Sequence, residues 1–236
     1  VCFNTSMTGY QEIITDPSYA GQIINFTFPH IGNVGTNQDD NESKKPFAKG
    51  IIINCDISDP SNYRSILHLD MWLKKNKVPG ICNIDTRKIT NRIRSKGAPK
   101  GGIIEGPINS KKTAHCLKRI KQWKGLNGLD LAIEVSRRDV KIYKSKSKSK
   151  IKVVAIDYGI KQNILNCLLD LNLEVILVPA KTSVDKILSY SPNGIFLSNG
   201  PGDPKATGRY AIPIIKKLIK SRIPLFGICL GHQLIS

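Results

Sequence analysis

Cys229 lies in the run PLFGICLGHQL, with Gly227 before it and Gly231 after it at a spacing of two. An apolar, strand-like stretch precedes it and a helix-like stretch follows. That is the layout of a nucleophile elbow, a tight strand-to-helix turn that pushes the central side chain outward. Glycine is needed on both flanks because side chains there would collide with neighbouring backbone. The start of a helix also offers free amides and the positive end of the helix dipole. These favour a thiolate and can stabilise the oxyanion of acyl transfer. A buried structural cysteine in a Gly-rich turn is the other reading of the same pattern. A second run, LSNGPGDP (197–204), exposes backbone amides around Gly200 and Gly202. It could hold a phosphate, a carboxylate or an oxyanion, or be only a turn.

A nucleophilic cysteine needs a base. The histidines are His30, His68, His115 and His232. His232 follows Cys229 by one helical turn, but an elbow turns the cysteine off the helix axis, so helix surface is the better reading for it. The other three histidines belong to the N-terminal part of the chain.

The elements that must position these residues follow a regular order after residue 150. IKVVAIDYG (151–159) reads as a buried strand and IKQNILNCLLDLN as a helix with Ile164, Leu165, Leu168 and Leu169 on one face. LEVILVP reads as a strand, TSVDKILSYS as a helix capped by Ser or Thr, and GIFLSNGPGDP as a strand running into the Gly-rich turn. YAIPIIKKLIKS reads as a helix with Pro213 near its start, and IPLFGI as the strand leading into Cys229. Alternating strands and helices imply a doubly wound, mostly parallel sheet, with chemistry beyond the carboxyl ends of its strands.

The earlier residues lack that rhythm. QIINFTF (22–28), GIIINC (50–55) and GGIIEG (101–106) read as strands. YRSILHLDMWLKKN (63–76) reads as a helix turning Ile66, Leu69, Trp72 and Leu73 to the core. ICNIDTRKITNRIRSKG reads as strand, turn and helix, ending at Gly97. The expected fold class is α/β: an N-terminal α/β domain at 1–140, a solvated Lys/Ser linker at 141–150 (KIYKSKSKSK), and a doubly wound, flavodoxin-like domain at 151–236.

Composition narrows the function classes. With 40% hydrophobic and 23% charged residues, a packed core is expected and global disorder is not. No apolar run reaches the length of a membrane span, and no secretory signal is visible. The six cysteines form no Cys-x-x-Cys pair, which points to free thiols and a cytoplasmic setting. The net charge of +18 raises nucleic acid as a partner, yet aromatics are only 6% and no nucleic-acid motif appears. A bias toward Lys, Ile and Asn accounts for the charge as well, so no nucleic acid is expected.

FGICLGHQL with FLSNGPGDP resembles the class I, triad glutamine amidotransferases. The run FNTSMTGYQEIITDPSYAGQIINFTFPHIGNVGTN (3–37), with NIDTRKITNRIRSKGA (83–98) and GLNGLDLA (125–132), resembles the small, glutamine-hydrolysing subunit of carbamoyl phosphate synthase. The resemblance implies that Cys229 attacks the side-chain amide of glutamine, forming a thioester and releasing ammonia. It implies an oxyanion hole from the amides of Gly200 and Leu230, and glutamine held by Ser18, Gly200, Gly202, Leu230 and Gln233 where the two domains meet. A large synthetase subunit would use the ammonia with bicarbonate and ATP to make carbamoyl phosphate for arginine and pyrimidine synthesis. ATP and its metal would belong to that partner, so no cofactor and no metal site is expected in this chain.

The resemblance also implies a His and a Glu from a downstream His-Pro-Glu motif, which these 236 residues do not include. The chain starts at Val1 rather than Met, and it is expected to be incomplete at both ends. The 236-residue polypeptide alone is expected to have little or no glutaminase activity. The competing expectation is a catalytically dead small subunit that only binds the large subunit or a complementing fragment. A basic nucleic-acid binder ranks last.

Overall fold

The computed structural model describes residues 1–145 and 151–236. The chain divides into two compact units, Val1–Gly125 and Leu126–Ser236.

In the first unit, β1 (Cys2–Asn4), α1 (Tyr10–Thr15), a 3-10 turn (Pro17–Tyr19), β2 (Ile23–Phe26), β3 (Gly50–Ile52), α2 (Leu69–Lys75), β4 (Gly80–Ile81), α3 (Thr86–Lys96) and α4 (Ser110–Gln122) follow in order. The four strands form one parallel sheet in sequence order, with Ile24 opposite Cys2 and Ile51. Ile14, Ile24, Phe26, Ile51 and Leu69 are buried together as its core. The buried Asn25 ties α3 to β2, its side-chain amide donating to the Thr86 carbonyl and the Thr90 hydroxyl, each at 3.0 Å. Gly97 ends α3 at φ +80°, a left-handed backbone that glycine adopts freely.

Two expectations are corrected here. The helix expected over 63–76 starts only at Leu69, and Ile66 is 70% exposed. The backbone of residues 66 and 67 is held in an isolated antiparallel bridge: Ile66 N donates to Thr36 O at 2.9 Å and Thr36 N to Leu67 O at 2.8 Å. His68 then caps the helix through Nδ1, accepting from Asp70 N. GGIIEG forms no strand. Its glycines admit α4 instead, since a Cβ on Gly102 would lie 3.3 Å from Cys116 Sγ and 3.4 Å from Ile120 Cδ1. Helix α4, absent from the sequence reading, has no buried residue.

Both tryptophans, Trp72 and Trp123, lie in this unit. Their fluorescence therefore follows its unfolding alone. Leu69→Ala, emptying a fully buried site in the core, is expected to destabilise the unit by about 2–5 kcal/mol, read as a lowered urea midpoint of tryptophan fluorescence.

The second unit contains α5 (Leu131–Val135), β5 (Lys141–Tyr143), β6 (Lys152–Asp157), α6 (Gln162–Asp170), β7 (Glu174–Pro179), α7 (Val184–Leu188), β8 (Gly194–Leu197), α8 (Pro204–Lys220), β9 (Leu225–Gly227) and α9 (Leu230–Ile235). The sheet order is β5-β7-β6-β8-β9, parallel except for β5, which runs antiparallel to β7. Setting β5 aside, this is the start of the flavodoxin-like order, with its switch point between β6 and β8. Strand side chains alternate between the faces. Val154, Ile156, Ile195 and Leu197 meet Ile187, Ala211, Ile215 and Leu218 on one face. Ala155, Val175 and Phe196 meet Leu165 on the other.

The expected linker at 141–150 changes accordingly. Lys141–Tyr143 is an edge strand paired with residues 175–177. Its Ile-Tyr pair suits a sheet edge, and the Lys141 ammonium lies over the Tyr143 ring. The remainder, 146–150, lies outside the described residues. Residues 126–140 fall with the second unit rather than the first, because α5 buries Leu131 and Ala132. The helix expected from residue 210 begins at Pro204, so Pro213 lies inside it rather than near its start. Asp203 caps it and Pro204 takes the first position, where a missing N–H costs nothing. The six residues of α9 are too few for a stable isolated helix. Burial of Leu230 and Leu234 supplies the missing stability.

Candidate active site

The carboxyl ends of β6, β8 and β9 lie side by side and supply the candidate site. Cys229 follows β9 at φ 52°, ψ −111° and caps α9. This is a left-handed, strained backbone for a residue with a side chain, the signature of a nucleophile elbow. The glycine requirement is met on both sides. A Cβ on Gly227 would stand 2.6 Å from the Gly231 carbonyl carbon, and one on Gly231 would stand 2.2 Å from Leu197 O. Gly231 N donates to Ser198 O and Ile228 N to Leu197 O, both at 3.1 Å, which stitches the elbow to the end of β8. The Cys229 side chain is exposed.

The turn after β8 is fastened to the turn after β6. The buried Ser198 hydroxyl accepts from Tyr158 N at 2.9 Å and donates to Asn199 O at 2.7 Å. The Asn199 side chain accepts from Lys161 N and donates to Gly159 O. Asp157 closes its own loop by accepting from Gly159 N, Ile160 N and Arg137 N. Gly200 is pressed against this loop: its Cβ would lie 2.1 Å from Tyr158 O and 3.0 Å from Leu230 Cδ2. Gly200 and Leu230 are therefore neighbours. Among the described residues neither backbone amide has a hydrogen-bond acceptor.

Residues 154–236 match the family model described as glutamine amidotransferase class-I, and residues 1–103 match carbamoyl-phosphate synthase small chain, CPSase domain. The chain is 50% identical over 253 residues to the carbamoyl phosphate synthase small chain of Agrobacterium fabrum, and 51% identical over 251 residues to that of Bradyrhizobium diazoefficiens. The chain belongs to the carbamoyl phosphate synthase small-chain family. Each alignment covers 100% of this chain and 63% of the relative. The small chain of Zymomonas mobilis is 45% identical over 248 residues, with 100% of this chain and 66% of the relative covered.

In this small-chain sequence the structure brings Cys229, Gly200 and Leu230 together. Gln233 stands exposed on α9, its backbone N–H donating to Cys229 O at 3.0 Å. Gly202 is exposed in the turn at φ +97°. Ser18 belongs to the first unit, in the 3-10 turn, where its amide donates to Asp16 Oδ1 at 2.8 Å. Among the described residues no histidine is hydrogen-bonded to Cys229; His232 uses its carbonyl to accept from Ser236. Nor does any group of three or more His, Cys, Asp or Glu side chains among them suit a metal ion. Among the described residues no helix is long and apolar enough to cross a membrane.

The sequence reading missed Ser198, Asn199 and Asp203 as structural members of the site. They stood in the quoted SNGPGDP run, but their partners lie far away in sequence. Amides of Gly128 and Lys205 hold the Asp203 carboxyl below the usual carboxylate range. A lowered folded value means a stabilising contribution that is present above the unfolded value of about 3.9 and is lost as pH falls through the folded one. Asp203→Asn is therefore expected to lower the urea midpoint of the second unit at pH 7, with the difference from the parent lost at a pH below the folded value. Far-ultraviolet circular dichroism at the two pH values checks this.

Proposed function

We propose that this chain is the glutamine-hydrolysing part of a carbamoyl phosphate synthase. The observation that carries the reading is Cys229, held at φ 52° beside two amides, of Gly200 and Leu230, that have no acceptor among the described residues. In the proposed reaction the Cys229 thiolate attacks the side-chain carbonyl carbon of glutamine. The carbonyl electrons move onto oxygen, where the two amides receive the charge. Collapse breaks the C–N bond, the leaving nitrogen takes up the proton that the thiol gave up and departs as ammonia, and water then hydrolyses the thioester to glutamate and returns the thiol. Ser18, Gly202 and Gln233 are proposed to hold the glutamine.

Free ammonia becomes protonated in neutral water, which motivates a partner: a large subunit that combines it with bicarbonate at the expense of ATP. Six cysteines outside any disulfide fit a cytoplasmic setting. For the 236-residue polypeptide alone we infer little or no steady-state turnover, since no histidine is hydrogen-bonded to Cys229 among the described residues. The test is incubation of the native subunit with a chloroketone analogue of glutamine, followed by peptide mass mapping. Labelling at Cys229 that free glutamine protects against is the expected result; labelling without protection would overturn the reading.

A further inference from the structure

The GLNGLDLA run (125–132) enters the proposed chemistry only as a mark of family, yet the structure puts it against the Gly-rich turn. Gly202 has φ +97°, and a Cβ there would lie 2.8 Å from Leu131 N and 2.9 Å from Leu129 O. The turn backbone therefore rests directly on the backbone of residues 129–131. Asp203 locks that contact from both ends: its amide donates to Leu129 O at 3.1 Å, and its Oδ2 accepts from Gly128 N at 2.8 Å. The segment is itself anchored from behind. Asp130 Oδ1 accepts from the Thr207 hydroxyl at 3.0 Å and the Tyr210 hydroxyl at 3.3 Å, both on α8, and Leu131 and Ala132 are buried.

We propose that residues 128–130 are a positioning element for the reaction, latched by Asp203 so that the Gly200–Gly202 backbone faces the thioester-forming carbon at a fixed angle. This deepens the glutaminase reading and rests on it. The turn has two tethers. Asn199 fixes its near end to the loop after β6, and Asp203 fixes its far end to residues 128–129. With the far tether weakened, the four peptide units between them can rotate. Rotation swings the Gly200 amide off the developing oxyanion while leaving Cys229 on its own elbow. Gly128, Leu129, Asp130 and Asp203 touch neither substrate nor nucleophile in this account; they act through Gly200 and Gly202.

The test is Asp203→Asn in the native subunit with its large chain. Asn caps a helix about as well as Asp, so the bond to Lys205 N and the start of α8 survive. Only the charged acceptor facing Gly128 N is weakened. The expected result is a fall of about 10–100-fold in kcat/KM for glutamine hydrolysis, the scale for a misplaced oxyanion donor. Alkylation of Cys229 by iodoacetamide, followed on its own peptide, should stay within about twofold of the parent because the nucleophile is untouched. Thr207→Val, which removes one of the two α8 hydroxyls that Asp130 accepts from without touching the turn, should give a smaller loss of roughly 2–5-fold in the same direction. A kcat/KM within about twofold of the parent for both variants overturns the proposal and leaves the glutaminase reading standing. So does an equal loss of hydrolysis and alkylation, which would mark general unfolding. A parent complex that hydrolyses no glutamine removes both.

Discussion

Replacing Cys229 by serine is expected to lower glutamine hydrolysis in the native subunit by at least about 10³-fold, because no other group in the elbow can form the thioester. The substitution is nearly isosteric, so its effect should be chemical. Cys229 is exposed and its Sγ makes no packing contact that the core requires. The decisive comparison is with synthesis driven by added ammonia, which bypasses the cysteine. Under the proposed function that activity belongs to the large subunit and should remain within about twofold of the parent complex. Equal loss of both activities would place Cys229 in the assembly of the complex instead. Retention of glutamine-dependent synthesis would remove it from the chemistry altogether.

The second large effect is on stability. Gly231→Ala is expected to destabilise the second unit by about 3 kcal/mol or more. An added Cβ would fall 2.2 Å from Leu197 O, 2.6 Å from its carbonyl carbon and 2.7 Å from its Cβ. The first two are backbone atoms of a central strand, paired on both sides with β6 and β9, so they cannot yield. The helix must move instead, breaking Gly231 N to Ser198 O and uncovering Leu230 and Leu234. Gly194→Ala is the control. Its φ is not positive and its nearest neighbours would be at 3.8 Å, so a change within about 0.5 kcal/mol is expected. Urea unfolding followed by far-ultraviolet circular dichroism reads both. Tryptophan fluorescence should not move, since Trp72 and Trp123 report on the other unit. A Gly231→Ala chain with the parent's midpoint would mean that α9 is not seated on β8 as described.

The sequence by itself determined the architecture of the second unit and the elbow on which its proposed chemistry rests. Periodicity marks β6, α6, β7, α7 and β8 because each is apolar on a fixed repeat and interrupted by Gly, Pro or Asn. Gly227, Cys229 and Gly231 announce an elbow because the steric demand of a tight turn is local, and a local demand is written in adjacent residues. The same holds for Gly97 at the end of α3.

Only the tertiary structure decided what depends on distant partners. Ile66 has helical spacing with Leu69, Trp72 and Leu73, but its backbone is committed to Thr36, thirty residues earlier. KIY reads as the start of a solvated linker, but the edge of β7 offers it a ladder of hydrogen bonds and it becomes a strand. Asp203 shows the division most plainly. Its place as a helix cap before Pro204 follows from two neighbouring letters. Its grip on Gly128 spans 75 positions and exists only because β8, α8 and α5 are packed in one core. A hydrogen bond between residues so far apart leaves no periodic trace in the chain, since its geometry is set by the packing of whole elements rather than by the residues between its ends.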